Sequence, residues 1–432
     1  MTSSQKYSSE TSSGKASSPI SALALSSLVF SLSAVSASAQ SQDLIPHNHL
    51  GRESHRLNSP ESPGFIESED GVRKSLEERG ISLYATYLGE VFTNHSGGIK
   101  SGSAWAGLLD VGIDLDLEKI FGWQGASFSA NVFYFDGGDI TGDRVGDFNA
   151  VSNLYTDTRF NFYNIFFQQA FGEADSFFKI GQIALDDDFM VSESALLFLN
   201  AGFGPLPIQT GNTAAPVYAL AAPGMLLNFE PDSSYFARFG IYAGDAGPAD
   251  SSNRGFDWEL GSTPGWMFMA ESGLTYGSNG ESVIKVGGFY HTGDFERFSD
   301  GASESGLYAL YAVIDHQIYS SENGTGLNAF FRGGITPQDD IATVSAYAEG
   351  GLVATDVFRE GDALGLASSW TDLSDDFVDA EGGSSSEVVI EFTYQTAISD
   401  WLTIQPDVQY IINPQGGGDD AFLTGFRAEI SF

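Results

Sequence analysis

Ten charged or polar side chains interrupt runs that otherwise read as apolar strands: Arg238, Glu271, Lys285, His291, Asp315, Arg332, Asp407, Gln409, Arg427 and Glu429. Lys285 stands between Ile284 and Val286, and Arg427 and Glu429 alternate with Phe426, Ala428 and Ile430. Their spacing matches no bond-making pattern: the chain has no Gly-x-Ser-x-Gly elbow, no His-Glu-x-x-His and no phosphate-binding loop. Carboxylate pairs of the glycosidase kind carry little information where acids number 57. What these residue types do together is solvate. Carboxylates accept, Arg and Lys donate and Gln does both, so a row of them on one strand face meets water.

Metal chemistry finds equally little support. Asp136-Gly-Gly-Asp139 with Asp143 and Asp147 offers oxygen ligands of the kind Ca²⁺ takes, but off the EF-hand spacing, and reads as a solvated loop. His47, His49 and His55 lie close together in a polar tract better read as disordered than as a chelator. No metal, no cofactor and no enzymatic activity are expected.

The elements that position the ten residues have a period of 2. In 421–432, Phe422, Phe426, Ala428, Ile430 and Phe432 share one face, and Gly425, Arg427, Glu429 and Ser431 the other. In 401–412, Leu402, Ile404, Val408, Tyr410 and Ile412 oppose Thr403, Gln405, Asp407 and Gln409. In 386–396, Val388, Ile390, Phe392 and Tyr394 oppose Glu387, Glu391 and Gln395, and in 306–319, Leu310, Ala312, Ile314 and Ile318 oppose Asp315 and Gln317. A charge facing lipid at mid-membrane costs roughly 2–4 kcal/mol when basic, so the polar faces must line a wet interior. Spanning strands also need every backbone group paired, which only a closed barrel provides. A polar lumen in a barrel of this size implies passage.

Strand windows fall near 81–93, 104–117, 126–136, 159–171, 176–184, 235–243, 267–277, 283–291, 306–319, 327–335, 341–355, 386–396, 401–412 and 421–432, with weaker ones at 225–230 and 357–368. That gives an all-β fold, a transmembrane antiparallel β-barrel of 16 strands with a short N-terminal helix. The segments 137–158, 185–224 and 244–266 lack alternation and read as outer or pore-folded loops. Within them, Pro205-Leu-Pro207 and its flanks, 202–213, could turn inward to narrow the pore or lie outside.

Residues 1–39 read as a signal peptide: Lys6 and Lys15 precede an apolar run at 20–35 and the small-x-small site Ala37-Ser38-Ala39. Residues 40–70 form a disordered polar leader, 71–80 a helix-sized run bounded by glycines, and 81–432 the barrel domain. The location implied is a bacterial outer membrane, with lipid around the barrel and the C-terminal Phe432 as the handle for barrel assembly machinery. Nineteen basic against 57 acidic residues give a net charge of −38, which excludes nucleic acid as a partner and makes acidic pore mouths that attract cations. Aromatic content of 13% and 51 glycines suit interfacial girdles and tight turns, and with no cysteine there is no disulfide framework.

Several blocks, in order, resemble carbohydrate-selective porins of the OprB type. They are Gly80-Ile81 with Tyr87 and Glu90, Ser96-Gly-Gly98, Asp116-Leu-Glu-Lys119 with Gly122-Trp123, Gly181 with Asp187-Asp188-Phe189, and Gly287-Gly-Phe-Tyr-His-Thr-Gly293. Glu391-Phe-Thr-Tyr-Gln395, Trp401-Leu-Thr-Ile-Gln-Pro-Asp-Val-Gln-Tyr410, Asn413-Pro414 and the closing Gly425-Phe-Arg427 to Phe432 complete the set. The resemblance covers 71–432; Glu69-Asp-Gly-Val-Arg73 departs from it in lacking a Trp-Gly before the arginine. It implies a 16-stranded outer-membrane porin passing small neutral sugars such as glucose by facilitated diffusion, its pore narrowed by loops. The ten polar side chains are then its pore-lining set, since hydroxyl-rich solutes need donors, acceptors and an aromatic platform in place of water. A general or cation-preferring diffusion porin is the alternative within transport; a barrel enzyme, an adhesin or a soluble all-β binding protein stand outside it. Monomer and homotrimer both remain open.

Overall fold

A computed structural model describes residues 71–432 apart from 155–157, 173–174, 249–251, 278–280, 322–323 and 416–417. The stretches read above as signal peptide and polar leader, with His47, His49 and His55, lie outside the described residues. Sixteen antiparallel strands follow in chain order: β1 Ile81–Gly98, β2 Gly102–Asp116, β3 Ala126–Gly137, β4 Arg159–Phe171, β5 Ser176–Ile183, β6 Ala222–Asp232, β7 Tyr235–Ala243 and β8 Trp266–Tyr276 in the first half. The second half holds β9 Ser282–Glu296, β10 Ser303–Ser320, β11 Gly326–Ile335, β12 Val344–Thr355, β13 Ala363–Leu373, β14 Ser386–Ser399, β15 Leu402–Ile412 and β16 Asp419–Ser431. Each strand pairs with its neighbours in sequence, and β16 returns to β1, closing the barrel with Tyr87 opposite Ile430 and Glu90 opposite Arg427. Closure leaves no sheet edge, as a membrane demands.

The two faces separate by parity. Outward-pointing Phe239, Val286, Leu310 and Leu366 are all more than half exposed, an apolar wall that in water would be untenable and in lipid is satisfied. Among the described residues no helix is long and apolar enough to cross a membrane. Three short helices stand at strand ends: α1 Val72–Glu77 before β1, α2 Leu117–Phe121 after β2 and α3 Asp375–Glu381 after β13. Asp116 caps α2 by accepting from Glu118 N and Lys119 N at 3.0 and 3.1 Å. Arg73 of α1 reaches the other terminus, donating to the Phe432 carbonyl at 2.9 Å.

The two weak windows are strands with particular reasons for weak alternation. In β6 the inward Leu226 is buried in an apolar cluster between outward Met225 and Leu227, so the alternation is lost there and only Asn228 and Glu230 mark the inner face. The last window is displaced: β13 starts at Ala363, because Asp362 ties 357–359 into a turn by accepting from Val357 N, Phe358 N and Arg359 N at 2.7, 3.0 and 3.1 Å.

Connections at the end that holds the start of β1 and the end of β16 are short. At the opposite end three are long, 138–158, 184–221 and 244–265. The first two turn into the barrel. All of 184–190 and 197–203 is buried, although neither stretch is regular structure beyond single turns. Leu185, Phe189, Leu206 and Ile208 pack on inward side chains of β5 to β12, while Ile140, Val145, Val151, Phe198 and Phe203 pack on β1 and β11 to β16. The barrel interior is therefore two apolar plugs wedged against a polar wall.

Candidate functional site

Irregular backbone at membrane depth leaves peptide groups that water cannot reach freely, and each must find a partner. The wall supplies the partners, and the sorting is by sign. Cations donate to carbonyls of the inward segment 184–221: Lys285 to Val191 O at 2.8 Å, Arg332 to Met190 O at 2.9 Å and to Phe203 O, and Arg238 to Asp188 O. Carboxylates accept its N–H groups: Glu271 from Met190 at 2.9 Å, Asp315 from Ser194 at 3.3 Å with Ser192 Oγ at 2.7 Å, and Glu391 from Leu199 and Asn200 at 2.6 and 2.8 Å. Glu387 does the same for the segment 138–158, accepting from Phe148 N at 2.7 Å and Asn149 N at 3.0 Å. Charged partners make these the stronger class of hydrogen bond.

The anchoring charges come in cross-strand pairs. Arg238 faces Glu271 in register between β7 and β8, Arg332 faces Glu349 between β11 and β12, and Arg427 faces Glu90 across the closing seam. Arg427 holds Glu90 Oε2 through Nε and Nη2 at 2.9 and 2.7 Å and reaches Asn153 Oδ1 at 2.6 Å. Tyr347 donates to Gly202 O at 2.6 Å beside the Arg332 and Glu349 contact. A fourth ion pair joins Lys179 of β5 to Asp188 at 2.8 Å. Next to it, Asp187 accepts from Asn164 Nδ2 at 2.8 Å and Tyr163 Oη at 3.2 Å. Burial raises the Asp187 carboxyl above its ordinary range, against the pull of Lys179.

Glycines in the wall make the seats for the plugs. A Cβ at Gly365 of β13 would stand 2.7 Å from Phe198 Cζ, and one at Gly334 of β11 would stand 2.2 Å from Ile208 Cδ1. Asn212 staples the far end of the segment to β12, donating to Val344 O at 2.9 Å and accepting from Val344 N at 2.8 Å.

All ten polar positions singled out in the sequence point into the barrel and are buried. Arg238, Glu271, Lys285, Asp315 and Arg332 come together around 188–203, and Arg427 joins Ser152 and Asn153 of the other plug. Gln409 bridges both plugs, donating to Val151 O at 2.9 Å and accepting from Asn200 Nδ2 at 3.1 Å. Asp407 hydrogen-bonds Gln409 at 3.1 Å, and Glu429 lies beside Arg427. His291 stands apart, its Nε2 bonded to Gly244 O at 2.8 Å at the base of 244–265, with Nδ1 accepting from Gly293 N at 3.1 Å.

Sequence reasoning did not place Glu90, Lys179, Glu349 or Tyr347 in the pore-lining set, Glu90 entering only as part of a family-like block. Parity carried a usable signal for two of them: Lys179 sits between Phe178 and Ile180, and Glu349 faces inward two residues from Tyr347. Among the described residues no three His, Asp or Glu side chains gather as a metal centre would require. Asp139 is instead engaged by Gly142 N at 2.6 Å. At the mouth, partial burial and the neighbouring Asp375, Asp376, Asp372 and Asp340 raise the Asp339 carboxyl.

A family model described as carbohydrate-selective porin, OprB family, matches residues 100–432. Porin B of Pseudomonas aeruginosa is 24% identical over 441 residues, spanning 89% of this chain and 95% of the relative. Among solved structures, the high-pH structure of Pseudomonas putida OprB superposes with a TM-score of 0.75 at 20% identity, covering 84% of this chain and 96% of that one. The low-pH structure of the same protein gives 0.55 at 16% identity over the same shares. The barrel is that of a bacterial outer-membrane channel, and the matching family is one of porins rather than enzymes.

Proposed function

Since this chain belongs to the carbohydrate-selective porin, OprB family, we propose that it passes small neutral carbohydrates, monosaccharides such as glucose, by facilitated diffusion with no cofactor and no energy coupling. The observation that carries the reading is the inward segment 184–221, held across the lumen by Arg238, Glu271, Lys285, Asp315 and Arg332. A segment fixed at so many points cannot swing aside with each solute, so it defines a permanent narrowing of set shape. Selectivity for sugars over larger solutes then follows from a rigid aperture whose rim offers donors and acceptors in place of a hydration shell.

Deleting 202–213 tests this. Loss of the stretch that holds Phe203 and Ile208 should raise single-channel conductance and let longer oligosaccharides enter liposomes that the parent excludes. Unchanged conductance and an unchanged size limit would show that the segment is not the constriction.

A further inference from the structure

The two inward segments are bonded to each other as well as to the wall. Their main chains meet twice, Asn153 N donating to Leu199 O at 2.7 Å and Ala201 N to Ala150 O at 3.1 Å. Ile140, Val145 and Val151 of the first segment share one buried apolar cluster with Leu197, Phe198 and Phe203 of the second. Gln409 of β15 joins them again by bonding Val151 O and Asn200 Nδ2. Irregular chain buried in a lumen satisfies its peptide groups with whatever lies nearest, and here part of what lies nearest is the other segment.

Asn153 stands where these contacts cross. It is 3% exposed, and its side chain faces two ways: Oδ1 accepts from Arg427 Nη2 at 2.6 Å, and Nδ2 donates to Phe198 O at 3.5 Å, the long limit of a hydrogen bond. Its neighbour Ser152 donates to Glu90 and accepts from Arg427 Nη2 at 3.3 Å. Arg427 and Glu90 are the pair that spans the closing seam between β16 and β1. A line of contact therefore runs from the seam, through two residues of the first segment, to carbonyls 198 and 199 of the second. An amide suits that place, since its oxygen serves the cation while its nitrogen serves the carbonyl; a carboxylate or a methyl group cannot do both.

We infer that Asn153, with Ser152 beside it, is a positioning residue of the aperture: it joins the two inward segments into one body and sets that body against the seam. The inference rests on 184–221 forming the constriction and is independent of which solute passes. Arg238, Glu271, Lys285, Asp315 and Arg332 grip the second segment from β7 to β11, and Arg427 reaches the first from β16. In the order of the barrel these lie on opposite arcs of the wall, so the coupled segments are held from both. Loosening the seam side is then felt at the aperture although no anchor from β7 to β11 has been touched.

The test is the single-channel conductance of the purified full-length mature protein in planar bilayers, measured in KCl with polyethylene glycols of graded size to find the largest polymer that still enters. Asn153→Ala should raise both the conductance and that size limit, and S152A/N153A should raise them further, with the thermal unfolding of the barrel on gels unchanged. A purely structural role would lower the unfolding temperature and leave the size limit where it was. The chain has no cysteine, so A150C/A201C places a single disulfide where the buried Ala150 and Ala201 meet. Its oxidation should leave the parent's conductance and size limit unaltered and should restore both in S152A/N153A, with reduction undoing the rescue. Parent-like pores in both alanine variants would overturn the inference, as would a cross-link that changes the parent pore or fails to rescue the double variant. The cross-linked parent keeps the proposal testable if the double variant folds poorly. Deleting 202–213 separates the two readings: a pore that the deletion widens and the alanine variants do not keeps the constriction and overturns the positioning role.

Discussion

Arg332 is the residue on which the geometry of the lumen most depends. Its guanidinium pairs with Glu349 and also holds the carbonyls of Met190 and Phe203, two points 13 residues apart on the inward segment. Arg332→Ala takes the cation from the buried Glu349 carboxylate, which keeps only the Tyr347 hydroxyl, and the guanidinium donor from two carbonyls at once, a loss on the order of 3 kcal/mol against the docked segment. The expected result is higher and noisier single-channel conductance from a barrel that still shows heat-modifiable migration on gels. A variant with parent conductance would mean that the segment is held elsewhere. Arg332→Lys should fall between the two, because an ammonium cannot fork between carboxylate and carbonyl as a guanidinium does. That Lys285, Asp315 and Arg427 face inward was legible from strand parity, and Arg332 stood out as a charge set in an apolar strand run. What each one touches was not legible. The partners are main-chain atoms of a segment without period, and nothing in side-chain identity marks a carbonyl as the target.

At the scale of elements, strands with a clean alternation were readable and those with two greasy faces were not. β14 and β15 put glutamates and glutamines against the plugs, so inside and outside differ chemically. β6 sets Leu226 inward against an apolar plug and Leu227 outward against lipid, and the contrast is left to Asn228 and Glu230 further along the strand. The onset of β13 was misplaced for a different reason: Val357 and Phe358 look like strand residues but are spun into a turn by one aspartate. Asp362→Ala removes an acceptor from three N–H groups and should destabilise the β12–β13 turn by roughly 1–3 kcal/mol, seen as faster proteolysis near 356–362; equal rates would exclude the capping role. The inward segment has its own dependence on a residue that is all backbone. Gly365→Leu would drive a side chain into the seat of Phe198, and the expected outcome is an intact barrel with a displaced segment and raised conductance. If that variant conducts like the parent, the wall glycines do not shape the seat.

For the whole molecule, two solvents act on one sheet. The outer face answers to hydrocarbon, so Leu310→Arg should cost roughly 2–4 kcal/mol in barrel stability by urea titration in lipid vesicles. A negligible change would contradict the placement of Leu310 in the lipid belt. The interior answers to the plugs, and there the charges are structural first: cation and carboxylate side chains convert an irregular chain into a fixed aperture. The net charge of −38 has no address; the cross-strand pairings of the interior cations are what show the work those charges do.

The central claim is that this aperture recognises sugars, and the most direct measurement is single-channel current through the purified mature protein in KCl as glucose is titrated. A saturable reduction of current at millimolar glucose, lost on deletion of 202–213, is the predicted result. A current that glucose leaves untouched at every concentration would contradict the account and make this barrel a general diffusion pore.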